Sequence, residues 1–487
     1  MWINRSDRYV PPLSRRELLF RCWNGIGSVA LTSLLLRETA SAAEKTLLNP
    51  WAPKRPHFAP KAKNCIYLFM SGGVSQVDTF DYKPELEKLA GKPLPKIEGV
   101  TGEIEAFLKE PHQAMPNRYP FARAGKSGRY LSTLFEHLPA CIDDLAFVHG
   151  IKVDSNNHSP ATMHVNTGSV FQGNPSVGAW VTYGLGSENQ NLPGYIVLHD
   201  YRGGPVNGSA VWQGGYLPAT YQGTSLRPTG DPILHLTSPP GMTRECLRRE
   251  LDLLRRINEK HAAARAAADD LEARIAAYEL AFRMQAEAPE VVDVSREPEQ
   301  IKKLYGLDNP VTEPFGRQCL LARRLVEKGV RFVLLIHGWE NGAYSWDHHR
   351  ELKEQLLPRV REVDKPVAAL LTDLKTRGLF DETLVVWTSE MGRTPFAEGI
   401  KERPGRNHNQ YGLVSWFAGG GVRGGATAGR TDDFGLKAAG EPIPIRDLHA
   451  TVLHLLGLDQ SALTYLHEGR FKRLTDTGGS VLKEILA

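Results

Sequence analysis

The stretch that decides the fold is RFVLLIHGWENGAYSWDHHRELKEQLL, residues 331–357, together with GLFDETLVVWTSEMGR, residues 378–393. It contains two apolar, β-branched runs, RFVLLI and TLVVWTS, separated by one long helical pattern. Continuous apolar strands that alternate with helices are typical of a parallel sheet covered on both faces. The sequence therefore predicts an α/β fold with a mostly parallel central sheet and helices on both of its faces.

Each apolar run stops in polar residues of the kind that bind metals. Asp347 and His349 follow the first run, Glu390 follows the second, and His408 lies in the loop after Glu390. Functional groups of such sheets collect outside the carboxyl ends of the strands, so we expect these side chains to share one crevice. Mixed carboxylate and imidazole ligands favour zinc, manganese or iron, whereas carboxylates alone would favour magnesium or calcium. The alternative is a set of hydrogen-bonded loop residues without a metal.

Length, charge and cysteine content set broad limits. The chain has 487 residues, of which 41% are hydrophobic and 23% charged, and its formal net charge is +4. This small excess of positive charge does not support binding of nucleic acid, which needs basic residues clustered on one face. The five cysteines form no CxxC pair and no short metal-ligand spacing, so core thiols are favoured over disulfides.

The N-terminal segment has the pattern of a targeting signal. Residues 14–19 (SRRELL) carry twin arginines, residues 26–36 are weakly apolar, and residues 40–42 (ASA) are small enough for a signal peptidase. We interpret residues 1–43 as a twin-arginine signal read by the export machinery, and residues 44–63 as a Pro-rich linker. The mature protein is then periplasmic or otherwise extracytoplasmic, with no transmembrane span. An ordinary amphipathic N-terminus is the alternative.

A long helical pattern at about residues 243–288 is predicted to be an insertion into an α/β domain that covers residues 64–487. Its alanines and i,i+4 charge pairs favour helix. Two arrangements are open, a hairpin packed on the domain or a coiled-coil surface for a partner. The segment between Glu390 and the next strand is predicted to be a polar loop. Further strands are predicted at 65–70, 145–149, 195–198 and 413–417, and helices at 315–328 and 445–456.

Residues 156–168, NNHSPATMHVNTG, place polar groups at a predicted helix start. Unpaired backbone N–H groups at such a start favour an anion, and a nucleophile would be well placed beside them. His158 and Ser159 are therefore candidate catalytic residues. Ser159 could equally be the N-cap of the helix.

Several motifs together resemble a known family. They are the twin-arginine leader, GGVSQVDTFDYKP (72–84), the segment 156–168, WDHH (346–349), TLVVWTSEMGRTP (383–395), GRNHNQ (405–410) and RDLHATVLHLLGLD (446–459). In combination they look like the domain-of-unknown-function 1501 family, sulfatase-like exported proteins of the alkaline-phosphatase superfamily. The resemblance covers nearly all of the mature chain. It implies one or two divalent metals at the carboxyl ends of a parallel sheet, and transfer of phosphoryl or sulfuryl groups.

The resemblance also implies roles by position. TSEMG, residues 388–392, is similar to the superfamily motif TSDHG, so Glu390 is the expected metal carboxylate and Met391 stands where a histidine ligand would. His158 occupies the position of the modified nucleophilic cysteine in the sulfatase signature C-x-P-S-R, and formylglycine cannot form there. Asp78 is the nearest substitute for the first metal aspartate. Asp347 and His349 match the second metal-binding segment, and His408 matches the late histidine.

These implications give two hypotheses of different classes. The first is an exported hydrolase of sulfate or phosphate esters, with polysaccharide esters among the candidate substrates, that depends on a divalent metal (zinc, manganese, calcium or magnesium). In it Arg393 and Arg406 hold the anion, and activated water or Ser159 attacks. The second is a catalytically degenerate member that binds an anionic glycan or a cell-surface partner, because His158 and Met391 replace residues that normally take part in the chemistry.

Overall fold

The central sheet is built from the apolar runs that the sequence identifies. The structure is a computed structural model that describes residues 49–95, 97–101, 113–234, 236, 241–263, 269–339, 345–400 and 402–487. The signal segment 1–43 lies outside these residues. The strands are β1 (Asn64–Met70), β2 (Phe121–Ala124), β3 (Arg129–Ser132), β4 (Ala146–Lys152), β5 (Tyr195–Leu198), β6 (Thr224–Leu226), β7 (Phe332–His337), β8 (Thr383–Ser389), β9 (Gly392–Ile400), β10 (Arg403–Asn409), β11 (Leu413–Gly419), β12 (Thr427–Ala428), β13 (Ile443–Pro444), β14 (Tyr465–His467) and β15 (Arg470–Lys472).

Helices alternate with these strands along much of the described chain. They are α1 (Gln76–Thr79), α2 (Pro84–Lys88), α3 (His158–Thr167), α4 (Val177–Leu185), α5 (Arg244–Ala263), α6 (Asp269–Val292), α7 (Glu299–Leu304), α8 (Glu313–Glu327), α9 (Leu352–Thr376) and α10 (Ile445–Leu455). Among the described residues, no helix combines the length and the apolar character that a membrane crossing needs.

The sheet has the strand order β12-β4-β11-β8-β1-β7-β5-β6, with β13 also paired to β4. Only β11 runs antiparallel to its neighbours, β4 and β8, so the prediction of a mostly parallel sheet is confirmed. The two apolar runs of the opening stretch, β7 and β8, are not neighbours. Strand β1 lies between them and pairs in parallel with both, so Cys65 is opposite Phe332 on one side and Leu384 on the other.

Alternation along β1 explains why both faces of the sheet are covered. Ile66, Leu68 and Met70 belong to the apolar cluster that includes residues of α8 and α9. Residues 65, 67 and 69 belong to a second cluster that includes residues of α3, α4 and α10. Each large apolar side chain contributes about 1.5–3 kcal/mol when fully buried, so the two clusters hold the sheet between two helical layers. Helices on both faces are thereby confirmed.

The helical insertion contains two described helices that contact one another. Arg248 of α5 forms an ion pair with Glu279 of α6 at 2.7 Å. Helix α6 also packs on the domain, because Met284 and Val291 lie in the same apolar cluster as α8 and α9. This arrangement matches the hairpin alternative rather than an isolated coiled-coil surface.

The segment after Glu390 was predicted to be a polar loop, and this prediction is wrong. It forms the antiparallel hairpin β9–β10, in which His408 lies opposite Arg393. The register shifts between Arg406 and His408. Residues two apart normally face the same side of a strand, and an irregularity of this kind re-aims one of them. The apolar alternation that predicts strands is absent here because the hairpin buries charged and amide side chains instead.

Candidate metal centre

Three separate parts of the chain meet beyond the carboxyl ends of β7 and β8. His158 is the first residue of α3, Asp347 and His349 follow β7, and His408 belongs to β10. Each of these residues offers one ligand atom, and the four atoms all lie within 4.8 Å of one another. Among the described residues they form a group that could hold a metal ion.

Each imidazole of the group is held in its orientation by a hydrogen bond at its Nδ1 atom. The three contacts are His158 with Glu390 Oε1 at 2.9 Å, His349 with Glu398 Oε2 at 2.6 Å, and His408 with the Asn156 carbonyl oxygen at 2.9 Å. A carboxylate and a carbonyl oxygen only accept, so each Nδ1 atom donates. In the neutral imidazoles the Nε2 atoms therefore carry the lone pairs, as in metal sites whose histidines are oriented by a second hydrogen bond.

The Nε2 atoms point toward one another and toward Asp347. Those of His349 and His408 are 2.8 Å apart, a distance at which two lone pairs repel unless a proton or a cation lies between them. Asp347 Oδ1 is 3.0 Å from His349 Nε2 and 3.4 Å from His408 Nε2. The Nε2 atom of His158 is buried and makes no hydrogen bond within the described part of the chain, although Asp347 Oδ2 is 3.3 Å away. These features fit a divalent metal with nitrogen and oxygen ligands.

Glu390 orients a ligand and lies outside the group of four. Its buried carboxylate accepts the His158 contact and a hydrogen bond of 2.6 Å from the backbone N–H of Gly72. Gly72 has φ +119°, and an added Cβ would lie 2.5 Å from Trp346 N and 2.6 Å from Asp347 N. Only glycine therefore lets the segment that carries Asp347 approach the end of β1 so closely.

Arg393 is a buried cation at the inner side of the group. Its Nη2 atom donates to Asp347 Oδ1 at 2.5 Å and also to the Gly72 carbonyl oxygen. Its Nε atom donates to the Gly73 carbonyl oxygen at 2.9 Å. Its Nη1 atom lies 3.4 Å from His349 Nε2, at the long end of a hydrogen bond. The guanidinium thus fixes Asp347, and most of its donors are already used.

Asp78 and Arg406 are not brought to this group. They form a fully buried ion pair with one another, with Arg406 Nε 2.6 Å from Asp78 Oδ2 and Arg406 Nη2 3.1 Å from Asp78 Oδ1. Asp78 also accepts from the Ser75 hydroxyl at 2.5 Å and from the Arg118 backbone N–H at 2.8 Å. Its oxygens are therefore occupied by donors, which leaves Asp78 a structural role in place of the expected metal contact.

The local charges shift the pKa values of the group in different directions. Burial opposes ionisation of Asp347, but Arg393 and the three neighbouring imidazoles outweigh it and hold the pKa of Asp347 far below its usual range. Burial also opposes the charged form of His158, yet the carboxylates of Asp347 and Glu390 raise its pKa to about 9. The pKa of His349 is raised for the same kind of reason, by Asp347 and Glu398 against burial.

His408 differs from the other two imidazoles. Burial lowers its pKa, Arg393 and His158 add to this effect, and Asp347 only partly offsets it. Its partner at Nδ1 is a neutral carbonyl, whereas those of His158 and His349 are carboxylates. A neutral His408 is the form in which Nε2 can bind a metal.

Ser159 is close to the group but is not the N-cap of α3. The N-cap is Asn157, whose side chain accepts from the Ser159 backbone N–H at 3.2 Å. The Ser159 hydroxyl instead donates to Asn207 Oδ1 at 2.7 Å, and Asn207 Nδ2 donates back to the Ser159 carbonyl oxygen at 2.7 Å. Asn207 has φ +73°, a left-handed conformation that asparagine tolerates better than most residues. The hydroxyl is therefore held in place by an amide and not by a base.

Three features of the site escaped the sequence prediction. Glu398 lies in the hairpin that was predicted as a loop, and the Asn156 carbonyl oxygen carries no side-chain signal. Met391, which stands at the position of a histidine ligand, is fully buried in an apolar cluster. Strand pairing within residues 392–409 places Glu398 opposite Gly405, so even a correct prediction of this hairpin would not have shown its contact with His349.

One protein family and several solved structures are similar to this chain. No curated protein matches the sequence. Similar solved structures include a mutant of the alkaline phosphatase from the Antarctic bacterium TAB5, with Mg bound in the M3 site of the mutant (10% identity, 82% of this chain and 99% of that chain, TM-score 0.33). They also include the phosphonate monoester hydrolase SpPMH from Silicibacter pomeroyi (13%, 72% and 71%, TM-score 0.34) and Ps i-CgsB in complex with k-i-k-neocarrahexaose (10%, 88% and 75%, TM-score 0.34). The model of the family described as "Protein of unknown function (DUF1501)" matches residues 62–486, and the chain therefore belongs to the DUF1501 family.

Proposed function

We propose that this protein is an exported, metal-dependent hydrolase of phosphate or sulfate esters. The observation that carries the proposal is the convergence of three imidazole Nε2 atoms on the Asp347 carboxylate, each imidazole being fixed at Nδ1. Packing alone does not require three Nε2 atoms to converge on one carboxylate, and His349 Nε2 and His408 Nε2 are only 2.8 Å apart. The motifs shared with sulfatase-like proteins point to the same class of chemistry.

In this proposal His158, Asp347, His349 and His408 hold the ion. Three imidazoles and one carboxylate favour zinc, manganese or iron over magnesium or calcium. Such an ion, when bound, supplies positive charge that stabilises phosphoryl or sulfuryl transfer and lowers the pKa of a water or hydroxyl group. Glu390 and Glu398 keep His158 and His349 in the orientation that binding requires.

The chain's own groups also favour an anionic ester at this position. The N-terminus of α3 begins at His158, and its backbone N–H groups carry the positive end of the helix dipole. Arg393 adds a buried positive charge behind Asp347. Arg406 is fully buried against Asp78 and the donors of Arg393 are largely used, so direct anion binding falls to the helix terminus in this proposal.

Water is the attacking group that fits these contacts best. A nucleophilic serine needs a general base within hydrogen-bond reach, and the hydroxyl of Ser159 donates to the amide oxygen of Asn207 at 2.7 Å. We therefore assign Ser159 to positioning of the substrate and His158 to holding the ion.

The first test is elemental analysis of the folded protein combined with a panel of chromogenic esters. The panel contains p-nitrophenyl phosphate, bis(p-nitrophenyl) phosphate, a p-nitrophenyl phosphonate and p-nitrophenyl sulfate. We expect about one equivalent of a transition metal, turnover of at least one ester, and loss of both in Asp347→Ala. The matched control is Asp433→Ala, because Asp433 is an exposed carboxylate outside the group.

Two outcomes would overturn the proposal. One is a protein that binds no transition metal even after reconstitution, and the other is turnover that survives unchanged in a folded Asp347→Ala variant. Ser159→Ala separates the nucleophiles. If water attacks, this variant keeps a measurable kcat, whereas loss of turnover with retained metal would make Ser159 the nucleophile.

Export by the twin-arginine pathway is part of the proposal and rests on Arg15 and Arg16 in the N-terminal segment. That pathway carries folded proteins, so a metal can be bound before transport. We expect the protein in the periplasmic fraction, and retention in the cytoplasm when both arginines are changed to lysine. Equal periplasmic amounts of the two forms would contradict this route.

A second candidate function is binding of an anionic ligand without turnover. It is favoured by Met391, which is buried in the core at the position where a histidine ligand would stand. The same ester panel decides between the two candidates. Metal and ligand binding with no turnover of any ester would support the binding function, and turnover would exclude it.

A further inference from the structure

Two adjoining cavities lie at the carboxyl ends of β5, β6 and β7. The larger has a volume of about 830 Å³ and is bounded by Leu198 and Leu226, the last residues of β5 and β6. The smaller, of about 270 Å³, is bounded by His337, the last residue of β7. Both are also lined by Tyr201 and Gln318, so they form one continuous depression, which we call the β5–β6 cleft.

The cleft and the metal centre share one edge of the sheet. His337 Nδ1 accepts a hydrogen bond of 3.1 Å from Trp346 Nε1, and Trp346 immediately precedes Asp347. Neighbouring strands are about 4.8 Å apart, so the far end of the cleft over β6 is about 10 Å from β7 along this edge. The volume of the larger cavity falls within the range of about 300–1,000 Å³ that is usual for ligand sites. A molecule longer than one small group could therefore reach both places.

Gln318 lines both cavities and carries a buried acceptor. It is 7% exposed, and its Nε2 atom donates to the His199 carbonyl oxygen at 2.7 Å. Because a carbonyl oxygen only accepts, this contact fixes which end of the amide is nitrogen. The Oε1 atom is left without a hydrogen-bond partner among the residues that the structure describes. A ligand that satisfies it must donate a hydrogen bond, as a hydroxyl group does.

Tyr201 provides an exposed flat ring at the same place. It is 49% exposed, although it lines both cavities. The guanidinium of Arg202 lies over this ring at 5.1 Å from its centre. A ring held in this way offers its other face to the apolar face of a sugar, with its hydroxyl group at the wet end.

The charged groups at the inner end of the cleft are paired with one another. Arg202 contacts Asp200 at 2.6 Å and Glu362 at 3.0 Å. Arg317 contacts Glu313 at 2.7 Å on the other side. These pairs neutralise the charge that would attract a sulfate or phosphate group. The part of a ligand that lies here is therefore uncharged.

We infer that the β5–β6 cleft binds neutral sugar residues, which Gln318 recognises through a hydroxyl group and Tyr201 through ring stacking. This inference rests on the proposed function in one respect, the placement of an ester group of the same glycan at the metal centre. The substrate is then a sparsely substituted oligosaccharide, in which neutral sugars lie beside the ester. A densely sulfated chain would place charged groups beside Arg202 and Arg317, whose charges are already neutralised by Asp200, Glu362 and Glu313.

The test measures binding of labelled cello-, xylo-, manno- and galacto-oligosaccharides to the full metal-loaded protein. We expect at least one of them to bind, and Tyr201→Ala to weaken that binding about tenfold, the loss of one aromatic contact. Gln318→Leu should weaken it to a similar degree. Tyr278→Ala is the matched control, because Tyr278 is an exposed tyrosine on α6 that does not line the cleft. Tyr201 is a surface residue, so Tyr201→Ala tests the inference even if the buried substitution Gln318→Leu prevents folding.

Ionic strength and a metal-centre variant complete the design. Binding of a neutral ligand should change little between about 0.05 M and about 0.5 M salt, because there is no net charge to screen. Asp347→Ala should keep oligosaccharide binding even though it loses the metal, so failure of the proposed hydrolysis leaves this readout intact. The inference is overturned if no oligosaccharide binds, if Tyr201→Ala binds as well as Tyr278→Ala, or if binding is abolished by salt.

Discussion

Two aspartate–arginine pairs lie beyond the carboxyl ends of the central strands, and they serve different purposes. Asp78 and Arg406 are both fully buried, with a contact of 2.6 Å. Asp347 and Arg393 have a contact of 2.5 Å, but the Asp347 side chain is 24% exposed while Arg393 is fully buried. The chemistry of the two pairs is the same. What differs is the set of neighbours on the open side of each carboxylate.

The oxygens of Asp78 are surrounded by donors, whereas those of Asp347 also face imidazole nitrogens that carry lone pairs when neutral. The Ser75 hydroxyl and the Arg118 backbone N–H complete the contacts of Asp78. A carboxylate at a strand end is therefore a candidate ligand only if the fold leaves it short of donors and near other acceptors. Position along the strand is not sufficient to identify it.

The largest effect is expected from breaking the buried pair with Asp78→Ala. This change leaves Arg406 buried without its partner, so the free energy of unfolding should fall by about 3–5 kcal/mol. The exposed Asp433→Ala should stay within about 0.5 kcal/mol of the wild type. Urea denaturation of the metal-free proteins measures both. A loss below about 1 kcal/mol in Asp78→Ala would mean that the pair is not a structural one.

Breaking the second pair with Asp347→Ala should affect metal binding more than folding. Loss of a direct ligand should weaken metal affinity by at least about 100-fold, beyond the 10–100-fold typical of outer-shell partners. The free energy of unfolding of the metal-free protein should fall by only about 2 kcal/mol. Arg393 still donates hydrogen bonds to the backbone carbonyl oxygens of Gly72 and Gly73 in this variant. Competition with a chelator measures the first value and urea denaturation the second. A stability loss as large as that of Asp78→Ala, with metal affinity unchanged, would reverse the assignment of the two pairs.

A smaller effect on metal affinity should follow from Glu390→Gln. This change leaves all four proposed ligands in place and therefore separates the orientation of a ligand from its loss. The change removes the carboxylate that holds His158 Nδ1, so metal affinity should fall by about 10–100-fold. Glu441→Gln, at an exposed glutamate, should leave the affinity as it is. If Glu390→Gln also leaves it unchanged, the orienting role assigned to Glu390 is wrong.

The smallest single step is expected from pH, a change of about tenfold in metal affinity for one pH unit. The carboxylates of Asp347 and Glu390 outweigh burial and raise the pKa of His158 from 6.5 to about 9, so the metal-free protein carries a proton there at pH 7. Metal binding must displace this proton, and the affinity should rise by about tenfold per pH unit until the pKa is reached.

The same pKa shift of His158 has the opposite effect on the stability of the metal-free protein, which falls as the pH rises. A folded-state pKa above the unfolded value stabilises the protein fully below pH 6.5, and this contribution is lost as the pH rises through about 9. Metal titrations and denaturation across this range test both signs. An affinity that is flat from pH 6.5 to 9 would show that His158 is not the proton-linked ligand.

The sequence predicts most of the sheet and about half of the site, for identifiable reasons. Continuous apolar runs give the strands, and the rule that ligands collect at the carboxyl edge predicts that Asp347, His349, Glu390 and His408 meet; in the structure Asp347, His349 and His408 do so, and Glu390 lies behind them. The sequence could not predict that Glu390 forms a hydrogen bond with His158, because nothing in it shows that β1 separates β7 from β8. That insertion puts Gly72 between the two strand ends, where its N–H group contacts Glu390.

The sequence also could not predict that the side chains of Arg406 and His408 contact different aspartates. They are two residues apart in β10, so simple alternation would put both on the same face. The irregularity between them directs Arg406 toward Asp78 and His408 toward Asp347. The hairpin gave no strand signal, because its buried side chains are satisfied by specific polar partners and not by apolar packing.

The wide separation of the ligand-bearing segments has a consequence for how long the folded protein lasts. His158 and Glu390 are 232 positions apart, so their contact closes a loop that contains nearly half of the chain. Contacts of such long range form late in folding, because the loop entropy is lost before they stabilise the chain. An ion bound to these segments adds an interaction that is absent from the transition state, and so slows opening without speeding assembly. In the exported, metal-bound protein that we propose, metal content therefore sets the lifetime of each molecule against proteases as well as its chemistry.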